Sequence, residues 1–461
     1  MIHNEREFEA AVSYIHSLGE FGWKLGLERF AALCERLGNP QDKIRAIHVG
    51  GTNGKGSTGA MVSGILKSAG YKVGAYYSPY VYDIRERVQL DGELIGKSAF
   101  TRLVNVIRPH AAALAETEHG HPTEFEVKTA LALLYFVEQG VDLAVLEVGL
   151  GGRLDATNIV TPLVSVITNV SLDHTDRLGG TISEVAAEKA GIIKQDGHLV
   201  TAVSDPEAFE VIRRTCEERN SVLWHVRSLD GSGVHFEIVR IQPHEPEIPS
   251  PLEGEGKGEG ESPLCEERLL SVYGFGKLYE GLKLGMKGDF QYANAAAAIG
   301  IAETLQSKGF DIPESAIRSG LESAYLPGRL EVLRKDPTLL IDGAHNLEGA
   351  RNLGRALRDL FSRDKLILVM GMVSGHSVED VVGTLAPLAA RFVATAPDNP
   401  RAASAASVAQ AARAHCPEVT QVEPVAEAVR RALQGAGEKD LVCVTGSFYT
   451  IGEVLRSMDE S

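Results

Sequence analysis

The chain has 461 residues, 44% hydrophobic and 23% charged, which is ordinary for a soluble globular protein and long enough for two cores. Its formal net charge of −16 at pH 7 argues against a nucleic-acid or anionic-membrane surface, though not against a small anion held in one pocket. Five cysteines without a C-x-x-C pair argue against a zinc ribbon or a disulfide framework, and no run approaches the ~20 apolar residues of a membrane span.

The start, "MIHNEREFEA", carries acids where a secretion signal needs a basic and then an apolar segment, so a cytoplasmic protein is expected. After an amphipathic stretch ("FEAAVSYIHSL", then "GLERFAALCERLGNP"), short apolar runs alternate with helical patterns. Strands over 44–49, 73–77, 143–148, 163–170 and 198–203, with helices such as 127–138 and 182–193 among them, predict a mostly parallel sheet covered on both faces. Ligands in such a sheet sit beyond the carboxyl ends of the strands. From about 228 to 284 the helical period gives way to alternating segments ("GVHFEIVRI", "LLSVYGFG") that read as hairpins. Between them, residues 245–263 ("EPEIPSPLEGEGKGEGESP") have almost no apolar side chain and read as a disordered insertion without assigned function. A helix over 292–305 and an "LPGR" turn at 326–329, the expected hinge, lead to strands at 338–341, 366–370, 392–395 and 441–444. The expectation is α/β: a P-loop ATPase domain with a mostly parallel sheet over 1–324, and a smaller Rossmann-like domain over 325–461.

In "HVGGTNGKGSTGAMVSGILKSAG", residues 48–70, strand, turn and helix follow one another. Gly51, Gly54 and Gly56 permit backbone angles that aim successive N–H groups at one point, where the helix adds its positive end. Residues Thr52 to Thr58 then form a phosphate cradle, with Lys55 on the outer phosphates and Ser57 or Thr58 on magnesium. The match to G-x-x-x-x-G-K-[ST] is imperfect, since Val49 replaces the first glycine and Gly56 separates Lys55 from Ser57; a plain glycine-rich turn is the alternative. Glu147, the only acid within 143–150, ends a strand beside this turn, where Mg²⁺ favours oxygen ligands, although a salt-bridge role is open too. "SLDHTDRLGG" brings Asp173, His174 and Asp176 to the same edge, and "DGAHNLEGARNL" ends another strand in Asp342 and His345, where Asp342 has helix capping as its plainer role.

These motifs, with "YSPY", "ERV", "TEFE", "LEVGLGGRLDATN", "AAEKAGIIK" and "LPGRLE", occur in order between about 26 and 346, and the chain resembles the folylpolyglutamate synthases and dihydrofolate synthases of the Mur ligase superfamily. The resemblance implies an ATP-dependent ligase, bifunctional for dihydropteroate and folates, that activates a carboxylate as an acyl phosphate and joins it to L-glutamate. It implies Lys55, His174 and Lys189 as catalytic residues, with Lys189 N6-carboxylated. One magnesium would lie on Ser57 and Glu147, another on Ser78, Glu147 and His174. Asn294, Arg329, Asp342 and His345 would join residues 52–58 on ATP, and Thr123, Phe125 and Asp155 would contact the pterin. Tyr80 and Val81 depart from the commoner "SPHL", and segment 245–263 is not part of the family pattern. A monomer is expected, without nucleic acid or membrane. A Mur ligase for a nucleotide-linked muramyl peptide would lack "GLER", "LGNP" and "TEFE". A regulatory nucleotide-binding ATPase would hydrolyse ATP without forming an amide.

Overall fold

The computed structural model describes residues 2–21, 26–229, 234–242, 269–375 and 377–459, so the 245–263 segment lies outside the described residues. Two sheets organise them. The larger has eleven strands, and its centre is a parallel block in the order Val222–Ser228, His198–Thr201, Val164–Ile167, Ala46–Gly50, Leu143–Glu147, Val73–Tyr76. Every position of Ala46–Gly50 and Leu143–Glu147 is buried, which is why these strands, His48 and Glu147 apart, read as apolar runs and not as alternation. Strand order reverses at Ala46–Gly50, whose two neighbours both come much later in the chain, so a ligand-binding crevice opens at its carboxyl end.

The hairpins read from alternation are present as Val222–Ser228 with His235–Ile241 and Leu270–Tyr273 with Leu278–Leu282, and they extend the large sheet. Several parallel strands are shorter than their apolar runs: 163–170 contracts to Val164–Ile167 and 198–203 to His198–Thr201. The loops beyond are themselves buried, Val170 and Val203 included, so hydrophobicity continues after the ladder stops.

Helix Lys55–Ser68 carries the glycine turn and is clamped by close backbone contact. A Cβ on Gly320, in helix Glu314–Ser323, would stand 2.3 Å from Ile65 N. Helix Phe290–Ser307 packs on the other flank through the buried run Ala295–Ala298.

The smaller sheet runs Glu331–Arg334, Thr338–Ile341, Leu441–Thr445, Leu366–Met370, Arg391–Ala394, Val419–Gln421, parallel except for its first pair. Neither edge strand has a fully buried position, so neither shows as a core-facing apolar run in the sequence. Alternate residues feed separate cores on its two faces: Leu340, Leu368 and Cys443 on one, Leu339, Ile341, Val369 and Val444 on the other. The four described cysteines are buried free thiols, and no described helix is long and apolar enough to cross a membrane.

Candidate active site

The glycine turn begins where strand Ala46–Gly50 ends. Gly54 has φ +80°, and a Cβ there would lie 2.4 Å from Asn294 Oδ1, so both conformation and space require glycine. Gly54 also precedes helix Lys55–Ser68 without a side-chain cap, which leaves the first helical N–H groups to an anion. The loop is held from outside: Asn169 Oδ1 accepts from Thr52 N (3.2 Å) and Asn53 N (2.7 Å), and Thr168 Oγ1 donates to Asn53 O at 2.6 Å. Lys55 Nζ folds back to Thr52 O at 3.0 Å.

A cleft of about 160 Å³ opens here. It brings together Thr52, Asn53, Gly54, Lys55, Gly56 and Ser57 with Ser78, Glu147, His174 and Lys189 of the large-sheet domain, and Arg329, Asp342 and His345 from the other side. Glu147 is 5% exposed and accepts Ser78 N at 3.0 Å. Burial raises its pKa, opposed first by the charge of Lys55. A Cβ on Gly56 would come within 3.3 Å of Glu147 Oε2, so the missing side chain leaves that carboxylate approachable. Among the described residues no three His, Cys, Asp or Glu are grouped to hold a metal ion. The donors at hand are Glu147 and the Ser57 and Ser78 hydroxyls, all hard oxygens that suit a magnesium completing its shell with phosphate.

Lys189, in helix Ile182–Ala190, is only 3% exposed and donates to Gly51 O at 2.9 Å, so it is not an ordinary solvent-facing helical lysine. Burial first, then Lys55, pull its pKa down to about 7. His174 sits at φ 49°, ψ 43° ahead of the short helix Thr175–Leu178, a left-handed geometry uncommon for a non-glycine residue. Asp173 fixes this corner by accepting His174 N (2.9 Å) and Asn346 Nδ2 (3.1 Å).

On the opposite wall Asp342 accepts Leu330 N (3.0 Å) and Ala344 N (2.9 Å), tying "LPGRL" to "DGAHN"; capping of the next helix falls to Asn346, through Gly349 N, and not to Asp342. Burial raises the pKa of Asp342, with Arg329 as the main opposing charge. The Arg329 guanidinium stacks 4.6 Å from the Phe448 ring centroid. His345 Nδ1 lies 2.7 Å from Gly343 O, a carbonyl that can only accept, so Nδ1 carries a proton committed to the main chain and Nε2 is the other donor or acceptor site.

Thr58, Asn294 and the three residues expected on the pterin, Thr123, Phe125 and Asp155, are not among the residues that line this cleft. Thr58 is fully buried with no hydrogen-bond partner for its hydroxyl; one residue further round the helix than Ser57, it turns into the core. Asn294 supports the loop from behind, linked through Gln291 (2.9 Å) to Ser57 Oγ (3.3 Å). Thr123 caps helix Glu124–Gln139 in a capping box with Glu126, and Glu126 is gripped by Arg29 at 2.8 and 2.9 Å. "GLER" and "TEFE" are thus two halves of one buried ion pair. Phe125 and Asp155 flank Gly149 beside the cleft, where a Cβ would fall 2.5 Å from the Phe125 ring and 3.1 Å from Asp155 Oδ2. Asp155 is already saturated, accepting Leu150 N (2.9 Å), Thr157 N (3.0 Å) and Thr157 Oγ1 (2.5 Å).

Unforeseen is a clasp across the two domains. Glu348, in the first turn of helix Leu347–Asp359, accepts Asn53 Nδ2 (2.8 Å), Asn169 Nδ2 (2.7 Å) and Ser171 Oγ (2.7 Å). Asn346 adds a bond to Asn53 Oδ1 at 3.1 Å. No local pattern in the sequence announces these partners.

Comparison with known proteins agrees with this geometry. The Mur ligase middle domain family model matches residues 49–302, and the model described as Mur ligase, glutamate ligase domain, matches 328–448. The chain is 38% identical to the dihydrofolate synthase/folylpolyglutamate synthase of Bacillus subtilis (strain 168), over 98% of this chain and 99% of that one. Among solved structures, E. coli FolC in complex with DHPP and ADP superposes with a TM-score of 0.80 at 29% identity, covering 98% of both chains. A bifunctional folylpolyglutamate synthase/dihydrofolate synthase with Mn, AMPPNP and L-glutamate bound gives a TM-score of 0.78 at 30% identity, covering 97% of this chain and 98% of that one.

Proposed function

The chain belongs to the Mur ligase family, among the dihydrofolate synthases and folylpolyglutamate synthases, and from that premise we infer an ATP-dependent, ADP-forming ligase that adds L-glutamate to dihydropteroate and to folates. The observation that carries the reading is the convergence, on one cleft, of the glycine loop, Glu147 and Lys189 from one sheet with Arg329, Asp342 and His345 from the other.

A carboxylate oxygen of the acceptor attacks the γ-phosphorus, the bond to the β-bridging oxygen breaks, and ADP leaves. The glutamate amine then adds to the acyl phosphate carbonyl and loses a proton. The carbon–oxygen bond to phosphate breaks, and an amide and inorganic phosphate remain. Lys55 and the amides opening helix Lys55–Ser68 offset charge on the transferred phosphoryl group, in a site whose walls are already fixed by Asn169 and Asn294. Arg329, Asp342 and His345 take the nucleotide from the other side, and His174 stands at the phosphoryl end. A bound divalent metal neutralises phosphate charge. We assign two such ions, one to Ser57 and Glu147 and one to Ser78, Glu147 and His174.

Lys189 is proposed to be N6-carboxylated. A lysine pulled to about 7 is substantially neutral near physiological pH, and a neutral amine is the form that adds CO₂. The carbamate would turn a cation facing Lys55 into an anion facing it. Phe125 is kept as a pterin contact. Thr123 supports it by capping its helix, and Asp155 acts on the pterin side by holding the 149–151 loop. The division between domains is set at 324/325, where helix Glu314–Ser323 has ended. The enzyme is read as cytoplasmic, and as a monomer because one chain supplies both walls of the cleft.

The test is direct: purified protein with ATP, Mg²⁺ and L-glutamate, offered dihydropteroate or a reduced folate. One ADP per product heavier by one glutamyl unit is expected. ADP and phosphate released with no amide from either acceptor would favour the regulatory ATPase.

A further inference from the structure

Arg87 ends the turn Ile84–Arg87 beyond Ser78 and is 7% exposed. Its place is fixed by its own main chain, because its carbonyl accepts Tyr77 N at 3.0 Å. Its Nη1 donates to Tyr77 O at 3.4 Å, and the N–H of that same peptide unit, Ser78 N, donates to Glu147 Oε2 at 3.0 Å. The guanidinium and the Glu147 carboxylate therefore stand at the two ends of one peptide group. On its other flank the guanidinium carbon lies 5.5 Å from the Tyr80 ring centroid and 6.0 Å from that of Phe125.

Glu147 feels the charge of Arg87 across the shared peptide group but does not contact it. Nε is buried with no hydrogen-bond partner, and the ion pairs among the described residues do not include Arg87. The acids of its own turn are committed: Glu86 accepts Val81 N, Tyr82 N and Asp83 N, and Asp83 pairs with Arg85. Lys128, also buried, adds a second cation close enough for Arg87 to lower its pKa, and Lys128 takes Glu124 at 2.7 Å for itself. A planar donor fork, desolvated and with no carboxylate in contact among the described residues, is suited to one.

Resting on the ligase reading above, we propose that Arg87 binds the reacting carboxylate of the acceptor, and then the acyl phosphate formed on it, between Glu147 and the Tyr80/Phe125 aromatic pair. The position suits both needs of the acceptor, an aromatic surface on one side and the phosphoryl-transfer centre on the other. Tyr80 then has a role in this chain that the departure from "SPHL" left open.

Arg87→Gln should raise KM for dihydropteroate at least tenfold and lower kcat about 100-fold, with KM for ATP within twofold of wild type and an unchanged melting temperature. Arg87→Lys, which keeps charge without the fork, should fall between. In Arg87→Ala, millimolar methylguanidinium should restore part of the rate. Competition on the wild-type protein adds a test that needs no folded variant: the acceptor should bind at least tenfold more tightly than its neutral carboxamide analogue. Equal binding of acid and amide, or an Arg87→Gln protein with wild-type kcat/KM for the acceptor, would overturn the assignment while the wild type remains an active ligase. A wild type that ligates no acceptor would overturn the parent reading with it.

Discussion

Glu348→Ala removes the three-way clasp and frees the Asn53 side chain of the phosphate loop, while leaving the residues assigned to metal unchanged. Each bond Glu348 accepts, from Asn53, Asn169 and Ser171 at 2.7–2.8 Å, is charge-assisted, and such bonds contribute about 1.5–3 kcal/mol apiece when buried. All four residues are partly exposed, so water replaces much of what is lost; we take about 2–3 kcal/mol for the set, which corresponds to roughly 30- to 150-fold in rate. The loss should appear in kcat/KM for ATP, because Asn169 also holds the Thr52 and Asn53 amides and would be released to swing. Steady-state kinetics should be paired with small-angle scattering, which should report a larger radius of gyration as the domains part. Glu348→Ala with unchanged kcat/KM for ATP and unchanged scattering would refute the claim that the clasp organises the loop.

Lys189→Ala should be nearly inactive, and acetate or formate should restore part of the rate by returning a carboxylate to the vacated volume; full inactivity at every acetate concentration would count against a carbamate. Glu303, buried and accepting Phe275 N and Tyr279 Oη, has its pKa pushed up by burial to about 7. The folded state therefore holds this proton more tightly than the unfolded chain, so its stabilising contribution is present below pH 4.5 and is lost as pH rises to about 7, up to about 3 kcal/mol. Glu303→Gln should raise the melting temperature at pH 8 and leave it unchanged at pH 4.5; equal shifts at both would show the carboxyl is not protonated on folding. Asp155→Ala strands at least three donors and loosens the 149–151 loop, which lines the cleft. It should cost about 2–4 kcal/mol of stability and depress both glutamate-adding activities, as measured by thermal unfolding beside the two assays. Loss confined to dihydropteroate would return Asp155 to direct pterin contact.

Much of the site was legible because a parallel sheet collects strand ends. Glycine turn, Glu147, His174, Asp342 and His345 each follow an apolar run, and the topology alone brings them to neighbouring edges. Where a residue's role depends on a partner far along the chain, the sequence is silent: Glu348 meets Asn53 across 295 positions, and Arg29 meets Glu126 across 97. Thr58 illustrates another limit, since adjacent hydroxyls on a helix differ by about 100° in direction and only packing decides which one sees the cleft. Arg87 was visible merely as part of "ERV"; its meaning depends on a peptide group shared with Glu147.

The central claim is that ATP is spent on activating a carboxylate, and oxygen tracing tests it most directly. Acceptor labelled with ¹⁸O in the reacting carboxylate should transfer one labelled oxygen to each inorganic phosphate released, because the oxygen that attacked phosphorus leaves with it. Unlabelled phosphate formed alongside amide would contradict the acyl phosphate, and with it the roles given to Lys55, Glu147 and Arg87.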